Sequence, residues 1–236
     1  MSIKKYKELF SLKSIDKIDE FVNKHNLDLN HENKKEEHLL LITDNLNILK
    51  WLIEEKNLDI NYTNKFGKNA LFHAGIEKSK YLISKGINIH QVDAAGKNAL
   101  FYSDLEKSKI LLKSGINVNQ LSAKKRNVSF GKIDTDFLNL YLEYNINLNQ
   151  RDYCGYGIFD SIGLYALGSD YQKVNFLDFL VSNGLDPAIK NNKGESLLFH
   201  CVSKNFIKGV VYLINELKLD VNELNSKDEN ILFYAD

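Results

Sequence analysis

Gly67-Lys68-Asn69-Ala70-Leu71-Phe72 returns as Gly96-Lys97-Asn98-Ala99-Leu100-Phe101, and Glu77-Lys78-Ser79-Lys80 returns as Glu106-Lys107-Ser108-Lys109, both 29 residues later. A fixed period of this size predicts a solenoid, in which each repeat buries its apolar face only against its neighbours. With Asn119 of Gly-Ile-Asn-Val-Asn as a ruler, equivalent positions fall at Asn30, Asn61, His90, Asn149, Ala188 and Asn222, with successive spacings of 31, 29, 29, 30, 39 and 34 along the chain. Seven related junctions cover nearly the whole sequence.

Four residues before these positions stand Asn26, Asn57, Gly86, Gly115, Asn145, Gly184 and Lys218. Six of the seven are glycine or asparagine, which accept the left-handed conformation that ends a helix. Six residues after come Glu36, Gly67, Gly96, Lys125, Gly155, Gly194 and Asp228, where four glycines predict a tight turn and three repeats depart from it. Two further on, Asn69, Asn98, Ser196 and Asn230 are suited to accept a bond from free backbone amides and start the next helix, with His38 and Asn127 in the same place. The spacing of Ile76, Ser79, Leu82 and Ile83, repeated at Leu105, Ser108, Leu111 and Leu112, is helical. The segment beginning Ala70-Leu71-Phe72 supplies the other helix of the pair.

The 236 residues are 44% hydrophobic, ample for a core, and their 31 basic and 31 acidic side chains cancel. No global field therefore draws the chain to nucleic acid or membrane. Met1–Phe10 has no apolar run of signal-peptide type and no later stretch approaches a membrane span, so the expectation is a cytoplasmic protein. Cys154 and Cys201 lack metal spacing and are expected as free thiols that serve as small packing residues. The six histidines form no His-x-x-x-His pair and Gly155-Tyr156-Gly157 lacks the following Gly and Lys of a phosphate loop. No catalytic residue, metal, cofactor or small-molecule substrate is expected.

These residues carry a resemblance. Gly-Lys-Asn-Ala-Leu-Phe resembles the ankyrin Gly-x-Thr-Pro-Leu-His, and Leu111-Leu112-Lys113-Ser114-Gly115-Ile116-Asn117-Val118-Asn119 resembles the ankyrin ending Leu-Leu-x-x-Gly-Ala-Asp-Val-Asn. Asn183–Pro187 with Asn192–Phe199 is the nearest match, while Thr-Pro-Leu-His is nowhere intact. The resemblance implies an all-α ankyrin-repeat solenoid, a single elongated domain over 1–236. It has an N-terminal capping unit at 1–30, repeats at 31–61, 62–90, 91–119, 120–149, 150–188 and 189–222, and a partial unit at 223–236. Spacings of 29 are about four short of the usual ankyrin length near 33, which predicts a trimmed loop between the paired helices. The 39-residue interval holds extra residues around Ser161–Tyr171, expected as a surface loop or a lengthened helix pair. The last segment, Asn230–Asp236, starts a helix without a partner, so it is either frayed or a single-helix cap.

By the same resemblance, partners bind at hairpin tips and the exposed side of the first helix. In register the central tips carry Lys65, Phe66 and Lys68, then Lys97, then Lys124, Lys125 and Arg126, then Arg151, Tyr153 and Tyr156. Cations interleaved with aromatics point to a protein partner of acidic character, with Phe66, Tyr153 and Tyr156 as anchors. Zero net charge and the lack of a readout motif argue against nucleic acid. The short Gly-x-Asn-Ala-Leu-Phe units are similar to small bacterial ankyrin proteins that accompany secreted toxins. That similarity implies an immunity protein which binds and blocks a toxin domain; the alternative is an effector or adaptor acting on host proteins. An enzyme, the third reading, would need a site within 150–188.

Overall fold

The computed structural model describes residues 8–9, 11–30, 38–131, 134–162 and 168–235. Tyr6, Lys7 and Phe10 of the N-terminal capping unit, Glu36 of the first turn, and 163–167 within the long interval lie outside them. Contacts divide the chain into two compact halves, 1–117 and 118–236. All regular structure among the described residues is helical.

In the N-terminal half the helices are Ile15–His25, Leu39–Ile42, Leu46–Glu54, Ile76–Ser84 and Leu105–Lys113, with single 3-10 turns at Ala70–Phe72 and Ala99–Tyr102. In the C-terminal half they are Thr135–Glu143, Ile158–Ile162, Asp170–Ser182, Leu197–Ser203 and Ile207–Asn215, with 3-10 turns at Val128–Gly131 and Ile231–Tyr234.

All seven junction residues adopt positive φ: Asn26, Asn57, Gly86, Gly115, Asn145, Gly184 and also Lys218, at 58°. The tip turns hold the same register. Gly67, Gly96, Gly155 and Gly194 have positive φ, and so do Lys125, at 57°, and Asp228, at 59°. The two repeats whose residue departs thus keep the turn and absorb the cost, because the surrounding hydrogen bonds over-determine it. One bond closes each described tip: Asn64 N–H to Lys68 C=O, Asp93 to Lys97, Ser122 to Arg126, Asp152 to Tyr156, Asn191 to Glu195 and Asn225 to Glu229. A periodic oxygen reinforces the turn: the side chains of Asn64, Asp93, Asp152, Asn191 and Asn225 each accept from the amides two and four residues on. This column escaped the sequence reading because asparagine, aspartate and, at 122, serine share it.

The expected caps form. Oδ1 of Asn69, Asn98, Asn127 and Asn230, Oγ of Ser196 and Nδ1 of His38 each accept the amide two residues later. Asn69, Asn98 and Asn127 also donate from Nδ2 to the carbonyls of Asn88, Asn117 and Asn147, tying the start of each repeat to its final junction.

The shortening of the 29-residue repeats is a correction to the trimmed-loop expectation, for it falls on the first helix. Repeat 189–222 has the seven-residue helix Leu197–Ser203, where repeats 62–90 and 91–119 have turns of three and four residues. Removing four residues deletes about one helical turn and leaves the following residues facing the same way. The repeated Glu-Lys-Ser-Lys now has a purpose. Lys78 is buried and its Nζ donates to the carbonyls of Leu40, Leu41 and Thr43 at 3.3, 3.2 and 2.8 Å; Lys107 donates to Leu71 and Phe72 at 2.8 and 3.4 Å. Each amine caps the carbonyl end of the preceding repeat's shortened helix, a partner those carbonyls would otherwise lack. Ile76, expected on the apolar stripe, is instead exposed, while Ser79 and Leu82 are buried as the spacing predicts.

Within the long interval, part of the extra length lies in the second helix, Asp170–Ser182, which has 13 residues where Leu105–Lys113 has 9. Its start is fixed by a capping box between Ser169 and Gln172. The core here is aromatic: Phe159 stacks nearly parallel with Phe176 and Phe206 at 6.4 and 6.5 Å between centroids. In the N-terminal half, Leu9, Ile18, Leu39, Ile48, Trp51 and Leu52 form the first cluster. Of the two free cysteines, Cys201 packs in the core as expected, but Cys154 is exposed at a tip.

Candidate functional site

In the N-terminal half, two adjacent tips are laid against each other by the amide of Ala94, which donates to the carbonyl of Phe66 at 2.8 Å. Phe66 projects from its tip and is 52% exposed, with Lys65 Nζ 5.2 Å from its ring centroid. Behind the tips, Tyr102 gathers both tip-proximal lysines: Lys68 Nζ lies 4.3 Å and Lys97 Nζ 5.7 Å from its ring. The Tyr102 hydroxyl donates to Asp93 Oδ2, and burial together with that carboxylate pushes it up to about 12. Lysine amines held over ring faces are already partly desolvated, so an incoming carboxylate loses less on contact.

In the C-terminal half, Tyr153 is 60% exposed and Lys125 Nζ lies 5.2 Å from its ring; Lys124 is exposed beside it. Arg126 is occupied internally, donating from Nε and Nη2 to Asp152 Oδ2 at 3.1 and 2.6 Å and lying 5.6 Å from the Phe130 ring. Arg151 is turned inward. Its Nη1 is 3.2 Å from Asp160 Oδ2, and its Nη2 donates to the carbonyl of Ile189 at 3.4 Å. Tyr156 borders a recess of about 390 Å³ lined also by Asp160, Lys193, Glu195, His200, Lys204 and Tyr234.

The floor of this recess is a charged network. Asp160 accepts from the Gly157 amide at 2.7 Å as well as from Arg151, and its other oxygen lies 3.7 Å from His200 Nδ1. Burial lowers the His200 pKa more than the Asp160 charge raises it, so the imidazole is neutral near pH 7. Tyr234 ties the far wall: its hydroxyl lies 2.8 Å from Glu229, 2.9 Å from Asn225 Nδ2 and 3.3 Å from Glu195. Cys201, next to His200 in sequence, is buried and its thiol is pushed far up by desolvation, which makes it unreactive.

The structure thus gathers Lys65, Phe66, Lys68 and Lys97 around one exposed ridge, and Lys124, Lys125 and Tyr153 on another, while Arg126 and Arg151 serve internal ion pairs. Sequence reasoning missed Tyr102, Asp160 and His200. The signal for Asp160 was present: its register column otherwise reads Leu41, Phe72, Phe101, Phe130, Phe199 and Phe233, so a carboxylate there breaks an apolar column. Among the described residues no group of His, Cys, Asp or Glu could hold a metal, and no helix is long and apolar enough to cross a membrane.

Stacked helical repeats with hairpin tips define an ankyrin-type solenoid fold. Residues 14–122 match the family model for ankyrin repeats in three copies, so that stretch carries ankyrin repeats. Curated proteins gave no match to the chain. Among solved structures it is similar to the ankyrin repeat domain of Bcl-3, a member of the IkappaB protein family, at a TM-score of 0.69 and 15% identity, over 84% of this chain and 92% of that one. It is similar to EF0377, an ankyrin repeat protein, at 0.61 and 20% identity over 71% and 90%. It is also similar to a chain in the complex of the predatory endopeptidase Bd0816 from Bdellovibrio bacteriovorus with immunity protein Bd3460, at 0.57 and 21% over 72% and 89%. At these identities the likeness is one of fold. Ankyrin repeats indicate a protein–protein interaction module.

Proposed function

We propose that this chain is a non-enzymatic binding protein that recognises an acidic protein surface through its tips, and that its partner is a toxin domain which it blocks. The observation that carries the reading is the pairing of exposed aromatics with lysines at the tips, Phe66 with Lys65 and Tyr153 with Lys125. Aromatics supply contact area at low entropic cost, and the cations steer a negatively charged partner. The role as an immunity protein is supported by the short-repeat resemblance and by a fold shared with a chain of an endopeptidase–immunity complex.

The test is rescue of cells expressing the toxin encoded beside this protein, together with the affinity of the purified pair at 50 and 300 mM salt. Lys124→Glu with Lys125→Asn and Tyr153→Ala should abolish rescue with an unchanged thermal melt, since asparagine tolerates the left-handed backbone at 125. Rescue at the wild-type level by this variant and by Lys65→Glu with Phe66→Ala would remove the tips as the binding face. Failure of the wild-type chain to bind any neighbouring toxin, with secretion into host cells, would favour the adaptor reading.

A further inference from the structure

Tyr102 and Tyr234 stand at the same place in their repeats, 12 residues after the register positions His90 and Asn222. Each ring is flanked by the residues that follow the register position of its own repeat and of the repeat before by 7: Lys97 and Lys68 for Tyr102, Glu229 and Glu195 for Tyr234. Lys68 Nζ lies 4.3 Å and Lys97 Nζ 5.7 Å from the centre of the Tyr102 ring, whereas the Tyr234 hydroxyl lies 2.8 Å from Glu229 and 3.3 Å from Glu195. One tyrosine holds two cations and its equivalent two anions.

The cationic place has no anion to match it. Other surface lysines are supplied with carboxylates, as at Lys56–Asp19, Lys85–Glu54, Lys80–Glu77 and Lys109–Glu106. Among the described residues Lys68 and Lys97 have no such partner. Both are half-buried with their amines over rings: besides sharing Tyr102, Lys68 Nζ is 5.9 Å from the Phe72 ring and Lys97 Nζ 5.7 Å from that of Phe101. Asp93, bonded to the Tyr102 hydroxyl, is buried and also accepts the amides of Ala95 and Lys97, so its charge is already answered. The positive field reaches His73, 29 residues before Tyr102: burial and the charges of Lys68, Lys107 and Lys78 hold its pKa below the usual histidine value. Two like charges on one ring repel until an anion joins them, and an ammonium on a ring face has already lost part of its water. A carboxylate that reaches both amines therefore gains more here than at a solvated surface lysine.

We propose that Lys68 and Lys97, held over Tyr102, seat one aspartate or glutamate side chain of the partner protein, and that the equivalent place at Tyr234 rejects it. The site rests on the acidic partner of the proposed function and names where a single acid of that partner engages.

The probe is the peptide acetyl-Gly-Asp-Glu-Asp-Gly-amide, titrated into the full chain at low salt while the tyrosine and histidine ring signals are followed by NMR. It should shift the Tyr102 ring and leave Tyr234 unmoved. It should also raise the His73 pKa, since the added negative charge offsets that of Lys68. The same peptide with asparagine and glutamine in place of the acids should do neither. Lys68→Gln with Lys97→Gln should weaken binding by about tenfold with no fall in the thermal midpoint. Lys80→Gln with Lys109→Gln removes equal charge from exposed helix positions and should leave binding unchanged. Equal loss in the two glutamine variants, an equal shift at Tyr234, or a His73 pKa that saturating peptide does not move overturns the site. Toxin rescue separates it from the proposed function. Rescue at the wild-type level by Lys68→Gln with Lys97→Gln overturns the site alone, whereas a seated peptide in a chain that binds no toxin upholds the site and removes the immunity role.

Discussion

His38 offers the sharpest check on the register. It occupies the column where Asn69, Asn98, Asn127 and Asn230 stand, and it does their work: Nδ1 accepts the Leu40 amide at 3.2 Å. Accepting at Nδ1 puts the ring proton on Nε2, which is buried with no hydrogen-bond partner among the described residues. The ring stacks on Tyr62 with centroids 3.9 Å apart, and burial lowers its pKa from 6.5 to about 4 against the opposing charge of Asp28. Because the folded pKa is the lower one, the folded state binds fewer protons below pH 6.5. Stability is full above 6.5 and is lost as pH falls towards 4. The interval from 6.5 to 5 corresponds to about 2 kcal/mol.

The perturbation is His38→Asn, which retains a capping oxygen and cannot titrate. Urea unfolding of both chains at pH 7 and pH 5 should shift the stability difference by about 2 kcal/mol in favour of the variant at the lower pH. Loss of the ring from Tyr62 is a pH-independent offset and cancels. His73 and His200, whose pKa values burial also lowers, contribute equally to both chains. Parallel pH profiles would refute the reasoning.

Asn98→Ala removes the cap on the buried Leu100 amide and the donor to the Asn117 carbonyl, at a cost of about 1–3 kcal/mol in urea unfolding; Asn98→Ser, the residue found at 196, should cost about half as much. Burial lowers the Lys107 amine from 10.5 to about 8, so its penalty disappears as pH rises; relative to Lys107→Met, the wild type should gain about 2 kcal/mol between pH 8 and 10, and equal slopes would contradict the buried cap. Gly155→Ala places a methyl 2.5 Å from Asn192 N at a φ of 80°, whereas at Gly86, φ 81°, nothing lies within 4 Å; the first should cost at least about 2 kcal/mol by thermal or urea unfolding and the second about 1.

The period, the seven junctions and the caps were legible in the sequence because each rests on a local backbone demand. Positive φ selects glycine or asparagine, and a free amide selects a short side-chain oxygen. Lys218, Lys125 and Asp228 show where such reading weakens, since neighbouring hydrogen bonds impose the conformation on residues that do not favour it. The tip cations were legible as a list, but their pairing was not. Arg126 and Arg151 differ from Lys125 only in what lies across from them, Asp152 and Asp160 in place of the Tyr153 ring.

What the sequence by itself determined, then, is the repeat and its register, which follow from short-range rules of chain conformation. Only the tertiary structure decided which lysines are buried and which arginines are already paired. These depend on groups meeting at separations along the chain that no local rule sets, from 9 residues between Arg151 and Asp160 to 36 between Lys107 and Leu71. A period fixes where such residues recur but not what each one faces.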